Sequence, residues 1–358
     1  VQTCALPIYN GGSRMNQMRG KQSIQFDKAP YLIASSSVVG AKEGEGPLGM
    51  MFDRVNEDAQ FGEDTWEKAE SQMQKEAAQI VLEKAGMMPE NIRYLFSGDL
   101  LGQLTATSFG AGGMDIPMFG LYGACSTSGE SLTLAAMAVS AGYADTAMAL
   151  TSSHFASAEK QFRYPLEYAN QRPLAATWTV TGSGAFLVAG EKKNNGTRKF
   201  QHIKITGVTG GKVVDFGIKD SMNMGACMAP AACDTIYQNL EDFGRKPEDY
   251  DKIITGDLGY VGQKILIDLL NEKGYSIEKQ HMDCGIEIFD CEEQDTHSGG
   301  SGCGCSAVVM ASYILPKIEK GKWKRVLFVP TGAMLSTVSF NEGQSVPGIA
   351  YGVVLEHD

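Results

Sequence analysis

GACSTSGESLTLAAMAVSAGYADTAMALTSSH, residues 123–154, returns in altered form as SGCGCSAVVMASYILPKIEKGKWKRVLFVPTGA, residues 301–333. A constant offset of 179 sets Gly142 against Gly321, Leu150 against Val329, and Cys125 against Gly304, which Cys303 and Cys305 flank. Each copy reads as a tight turn, a helix and a strand. A second pair lies upstream: RYLFSGDLLG (93–102) is answered by YDKIITGDLGYVG (250–262), with Gly98-Asp99-Leu100 matching Gly256-Asp257-Leu258. One shared tripeptide is weak, but two blocks in the same order indicate an internal duplication. Strands alternating with helices then imply an α/β chain of two pseudo-symmetric βαβ halves, with mostly parallel sheets covered by helices.

Outward from these blocks, residues 65–85 carry a helical stripe of Trp66, Ala69, Met73, Ala77, Ile80 and Val81. Gly86 is placed to cap that helix and Pro89 to stop it. Ile92 to Phe96 is a short apolar run ending in the turn Ser97-Gly98-Asp99. Such an ending is what a buried parallel sheet presents at its ligand-facing edge. The join between halves is expected near 182–195, where KKNNG reads as a turn, giving halves at 19–190 and 191–358. Residues 1–18 match nothing downstream and read as a non-native or disordered extension.

The chain has 358 residues and a net charge of −11, which argues against a nucleic-acid partner held through phosphates. Its eight cysteines form no CxxC pair and no zinc-finger spacing, so reduced, mostly buried thiols are expected. No run of 18 apolar residues predicts a membrane span. The sulfur-rich MNMGACMAPAA (222–232) reads as packing, and no EF-hand loop is present, so no protein-held metal is expected.

Cys125 stands where an apolar strand gives way to a helix. The helix N-terminus carries about half a positive charge, which is expected to lower a thiol pKa and to attract anions. A nucleophile, an anion seat and a plain buried cysteine all fit this position.

The elbow resembles the nucleophile elbow of thiolases and ketoacyl synthases. In those families the cysteine attacks an acyl thioester, and a His with a second His, Cys or Asn from the second half completes the site. Here Gly256-Asp257 stand near the place of the expected His, and SGGSGCGCSA (298–307) has no Asn. His297 lacks the proline that follows the thiolase His, and His154 is a further candidate base.

A larger set of stretches resembles the stage V sporulation protein AD family: GPLGMMFD, FGLYGACSTSGES, TSSHFASAEKQFRYPLEY, VTGSGA, DFGIKDSMNMGACMAPAACDTI, IITGDLGYVG, GGSGCGCSAVV and SVPGIAYGVVLE. The resemblance implies a thiolase-like fold with two five-stranded sheets layered α-β-α-β-α. It implies a non-catalytic protein that binds dipicolinate (pyridine-2,6-dicarboxylate), as its Ca2+ chelate, for uptake into the forespore and release at germination. Integral membrane subunits of the SpoVA complex would be partners, and the chain would be intracellular and peripheral to the spore inner membrane. A homodimer follows by analogy. The expected ligand site comprises Cys125, Ser126, Thr127, His154, Lys160, Arg163, Asp257, Cys303 and Cys305, with Arg163 and Lys160 supplying charge. The alternative is an acyl-CoA-dependent acyltransferase with Cys125 as nucleophile and His154 or His297 as base.

Overall fold

The computed structural model describes residues 17–162, 171–192 and 200–358. After a short antiparallel pair, Met18–Arg19 with Ser23–Gln25, comes β1 (Tyr31–Gly40), buried along nearly its whole length. A strand covered on both faces needs a continuous run of small and apolar residues, which YLIASSSVVG supplies. Helix α1 (Trp66–Ala85) follows, started by the Thr65 side chain accepting from the Lys68 amide and ended by Gly86 at φ 60°. Then come β2 (Tyr94–Asp99), α2 (Thr105–Ala111), β3 (Met118–Gly120), α3 (Thr127–Ser140), β4 (Thr146–Ser153), α4 (Phe155–Phe162) and β5 (Gly182–Ala189).

The second half repeats the plan with β6 (Ile203–Thr209), α5 (Met224–Phe243), β7 (Lys252–Thr255), α6 (Gly259–Glu272), β8 (His281–Asp283), α7 (Cys303–Val309), β9 (Arg325–Val329) and β10 (Gly352–His357). Helix α5 has the 20-residue length of α1 and ends the same way, at Gly244 with φ 61°. A proline-led 3-10 turn comes next in both, Pro89–Asn91 and Pro247–Asp249.

The first sheet has the order β1-β5-β4-β2-β3 and the second β6-β10-β9-β7-β8. Four strands of each five run in one direction, while β5 and β10 oppose their neighbours. The two sheets meet edge to edge through one pairing, Tyr31 with Lys204. Helix α1 packs on the outside of the first sheet, α5 on the second, and α3 and α7 lie side by side in the middle layer. There the Ser128 and Ser306 hydroxyls bond at 2.6 Å. Leu132 of α3 and Val308 and Val309 of α7 are fully sealed, each worth roughly 1.5–3 kcal/mol of burial.

Residues 182–189, where the expected join region begins, form β5, a fully buried inner strand of the first sheet. Their small side chains have a packing reason: a Cβ at Gly184 would sit 2.7 Å from that of Ala307, so α7 can approach only a bare backbone. Beyond α7 the helix also widens into a π-turn at Met310–Ile314. Pro316, which follows, has no N–H to continue the regular ladder.

Candidate ligand site above Cys125

The elbow is built by its own side chains. Ala124 takes the left-handed conformation, φ 50°, unusual for a residue with a Cβ. The turn is held because Ser126 Oγ donates to Gly123 O (2.6 Å) and Thr127 Oγ1 donates to Ala124 O (2.7 Å). The Gly123 amide in turn donates to Thr127 Oγ1 at 3.0 Å. Ser126 and Thr127 are therefore turn fasteners, fully buried, and neither lines the cavity above.

That cavity is narrow, about 50 Å³. Cys125 is at its wall with the hydroxyl-bearing Tyr122, Thr177, Thr179, Ser221 and Ser301, the apolar Leu100, Phe162, Met222, Met224 and Leu335, and the acid Glu159. Glu159 Oε1 accepts from Thr179 Oγ1 at 2.9 Å. Burial pushes the Tyr122 phenol up to about 12, so it stays a hydrogen-bond donor.

The thiol itself departs from expectation. Burial, with the Asp257 carboxylate adding to it, holds Cys125 well above the ordinary thiol range. The helix terminus does not compensate, because its first amides are spent locally: Ser126 N on Gly123 O (3.0 Å) and Thr127 N on Ala124 O (3.2 Å). Asp257 lies just behind the cavity. Its Oδ2 accepts from Ser301 Oγ (3.0 Å) and Gly302 N (2.8 Å), and its Oδ1 from Thr331 Oγ1 (2.8 Å). Asp99, its counterpart in the first half, accepts in the same manner from Leu101 N, Thr107 N and Thr107 Oγ1. The repeated Gly-Asp-Leu is thus a pair of buried acids put to different uses: Asp99 ties down the loop beyond its own strand, and Asp257 ties together the turn before α7 and the residues after β9.

Other expected site residues are elsewhere. His154 Nε2 lies 2.8 Å from Ala59 O, while Nδ1 accepts from the Ala156 amide at 3.2 Å. This fixes a neutral imidazole with its proton on Nε2, and burial lowers its pKa further. It stacks obliquely on Trp66 and does not line the cavity. Lys160 pairs with Glu67 on the outer side of α4. Cys303 Sγ donates to Ser152 O (2.8 Å) and Cys305 Sγ lies 3.7 Å from Gly256 O, so both thiols are sealed behind the wall. His297 is held in a loop by Pro173 O (2.9 Å) and Asp295 (3.0 Å). Arg163 lies outside the described residues.

The residues missed were Tyr122, Glu159, Thr179, Ser301 and the two methionines. Helical spacing offered one signal: Glu159 and Phe162, three apart on α4, share the face that meets the cavity, whereas Lys160 is turned away from it. The second-half counterpart of Cys125 has no room for a side chain. A Cβ on Gly304 would run into the carbonyl oxygen of Gly182. No group of three or more His, Cys, Asp or Glu among the described residues is placed to hold a metal ion.

A family model for stage V sporulation protein AD (SpoVAD) matches residues 20–356. The stage V sporulation protein AD of Bacillus subtilis (strain 168) is 42% identical over 340 residues, spanning 95% of this chain and 98% of that protein. The chain belongs to the SpoVAD family. Its membership ties it to sporulation. The SpoVAD-family fold is that of condensing enzymes. The 3-oxoacyl-[acyl-carrier-protein] synthase III of Aquifex aeolicus VF5 aligns with a TM-score of 0.53 at 16% identity, covering 92% of this chain and all of that one. An OleA of Xanthomonas campestris aligns with 0.54 at 15%, covering 95% and 99%. No helix among the described residues of this SpoVAD-family chain is long and apolar enough to cross a membrane.

Proposed function

We propose that the chain binds dipicolinate at the cavity above Cys125 and works as a carrier of that ligand, without acyl chemistry. One observation supports binding over catalysis: none of the five histidines lines the described cavity wall. His154 and His297 are committed as above, His281 is held by Thr255 and Gln263, and His202 and His357 lie against each other. Thiolase-type transfer needs a general base within hydrogen-bond reach of the sulfur.

The wall suits a flat aromatic acid, with Tyr122 and Phe162 for the ring and hydroxyls for the carboxylate oxygens. Glu159 favours the charge-cancelled Ca2+ chelate over the free dianion, since a carboxylate is a natural oxygen ligand for calcium. Admission of a ring requires the rim to yield, and Met222 and Met224 are the adaptable side chains there. The Met118–Phe119 face of edge strand β3 is exposed and suits a homodimer; monomers in sedimentation at micromolar concentration would rule that out. Docking on the membrane subunits of the SpoVA complex at the spore inner membrane completes the role, and failure to sediment with spore membranes counts against it.

Calorimetric titration with dipicolinate tests the reading. Binding that tightens with equimolar Ca2+ and weakens about ten-fold or more in Tyr122→Ala is expected. No heat and no competition under either condition overturns it. Incubation with acyl-CoA and intact-mass measurement addresses the enzyme alternative, for which an adduct on Cys125 is the positive result.

A further inference from the structure

We infer that Asp257 is the residue that keeps Cys125 unreactive, by taking for itself the donors that a thiolate would need. The inference goes beyond ligand binding and does not depend on it.

Ser301 Oγ lies 3.9 Å from Cys125 Sγ and 3.0 Å from Asp257 Oδ2. A serine hydroxyl has one proton, and the carboxylate is acceptor-only when ionised, so that proton goes to Asp257. The sulfur therefore faces an acceptor, and only the protonated thiol, donating into the chain S–H to Ser301 to Asp257, is satisfied. The Gly302 amide and the Thr331 hydroxyl, the nearby donors that could turn to an anion, also end on Asp257. Ser126 N and Thr127 N are spent within the turn, so these amides too are withheld from the sulfur. Among the described residues, the other ionisable groups around the thiol are Cys303 and Cys305 behind it, Tyr122 and Glu159 across the cavity and Asp283 beyond Asp257, and none of these is a cation. Burial raises the Asp257 carboxyl, but three donors on its two oxygens favour the ionised form. A negative charge there opposes a second one at Cys125, and removing it should release both the charge and the donors.

Carbamidomethylation of the full chain by iodoacetamide reads this directly. The thiolate sulfur forms the S–C bond as the C–I bond breaks, iodide leaves, and the thiol proton goes to buffer. Peptide mapping isolates Cys125, and Cys125→Ser marks the background from other cysteines. Asp257→Asn and Asp257→Ser are expected to react about ten-fold faster or more at pH 8, with the pH–rate midpoint displaced to lower pH. In the unmutated chain, the Cys125 midpoint is expected above that of a free cysteine in an unstructured peptide. Folding is checked by near-ultraviolet circular dichroism. Folded variants whose profiles overlay the wild type overturn the inference. So does a wild-type Cys125 midpoint below that of a free cysteine peptide, a measurement that needs no variant to fold.

Discussion

Glu43 shows how one side chain sets a pH response. It is fully buried beneath the Thr181 amide, which it accepts at 2.9 Å, and burial pushes its carboxyl from 4.5 up to about 7. A carboxyl that titrates higher in the fold than in the unfolded chain stabilises fully below pH 4.5, and that contribution is lost as pH rises through 7. The loss is on the order of 3 kcal/mol. Glu43→Gln, which keeps the acceptor, should therefore gain on the wild type between pH 4 and pH 8, as read from urea midpoints at both. A gap that does not change with pH would show that the Glu43 carboxyl titrates alike in the folded and unfolded chain. At this scale the sequence disclosed the elbow cysteine but not its chemistry. The sulfur's state depends on Asp257, 132 positions away, and on amides whose partners no spacing reveals.

Among the elements, α1 was legible, because its apolar stripe, Gly86 and Pro89 are local signals acting within a turn or two. Strand β5 was not, because Gly182, Ser183 and Gly184 look like turn residues until the helix packed on them is known. The duplication makes a paired prediction. Gly86 and Gly244 both end 20-residue helices at φ near +60°, a conformation that costs a Cβ-bearing residue about 1 kcal/mol. Gly86→Ala and Gly244→Ala should lower the denaturation midpoint by similar amounts, since both need the same left-handed backbone, and a Cβ at Gly244 meets nothing within 4 Å. A loss several-fold larger in one would mean that the two caps are not equivalent.

For the molecule as a whole, the alternation of strands and helices announced the layered architecture, and the two Gly-Asp-Leu blocks announced its repetition. What pattern alone left hidden was which half keeps an open site, since that is decided by contacts between the halves. The elbow of the first half points a sulfur into a cavity, while the equivalent place in the second is closed by the Gly182 carbonyl pressed against Gly304.

That closure has an arithmetical consequence. A duplicated protein with two open elbows would saturate at two guests per chain and could show cooperativity between them. Here saturation is expected at a single equivalent, with a simple hyperbolic isotherm. Equilibrium dialysis that counts two bound molecules of dipicolinate per polypeptide would mean that the second half has a vacancy of its own.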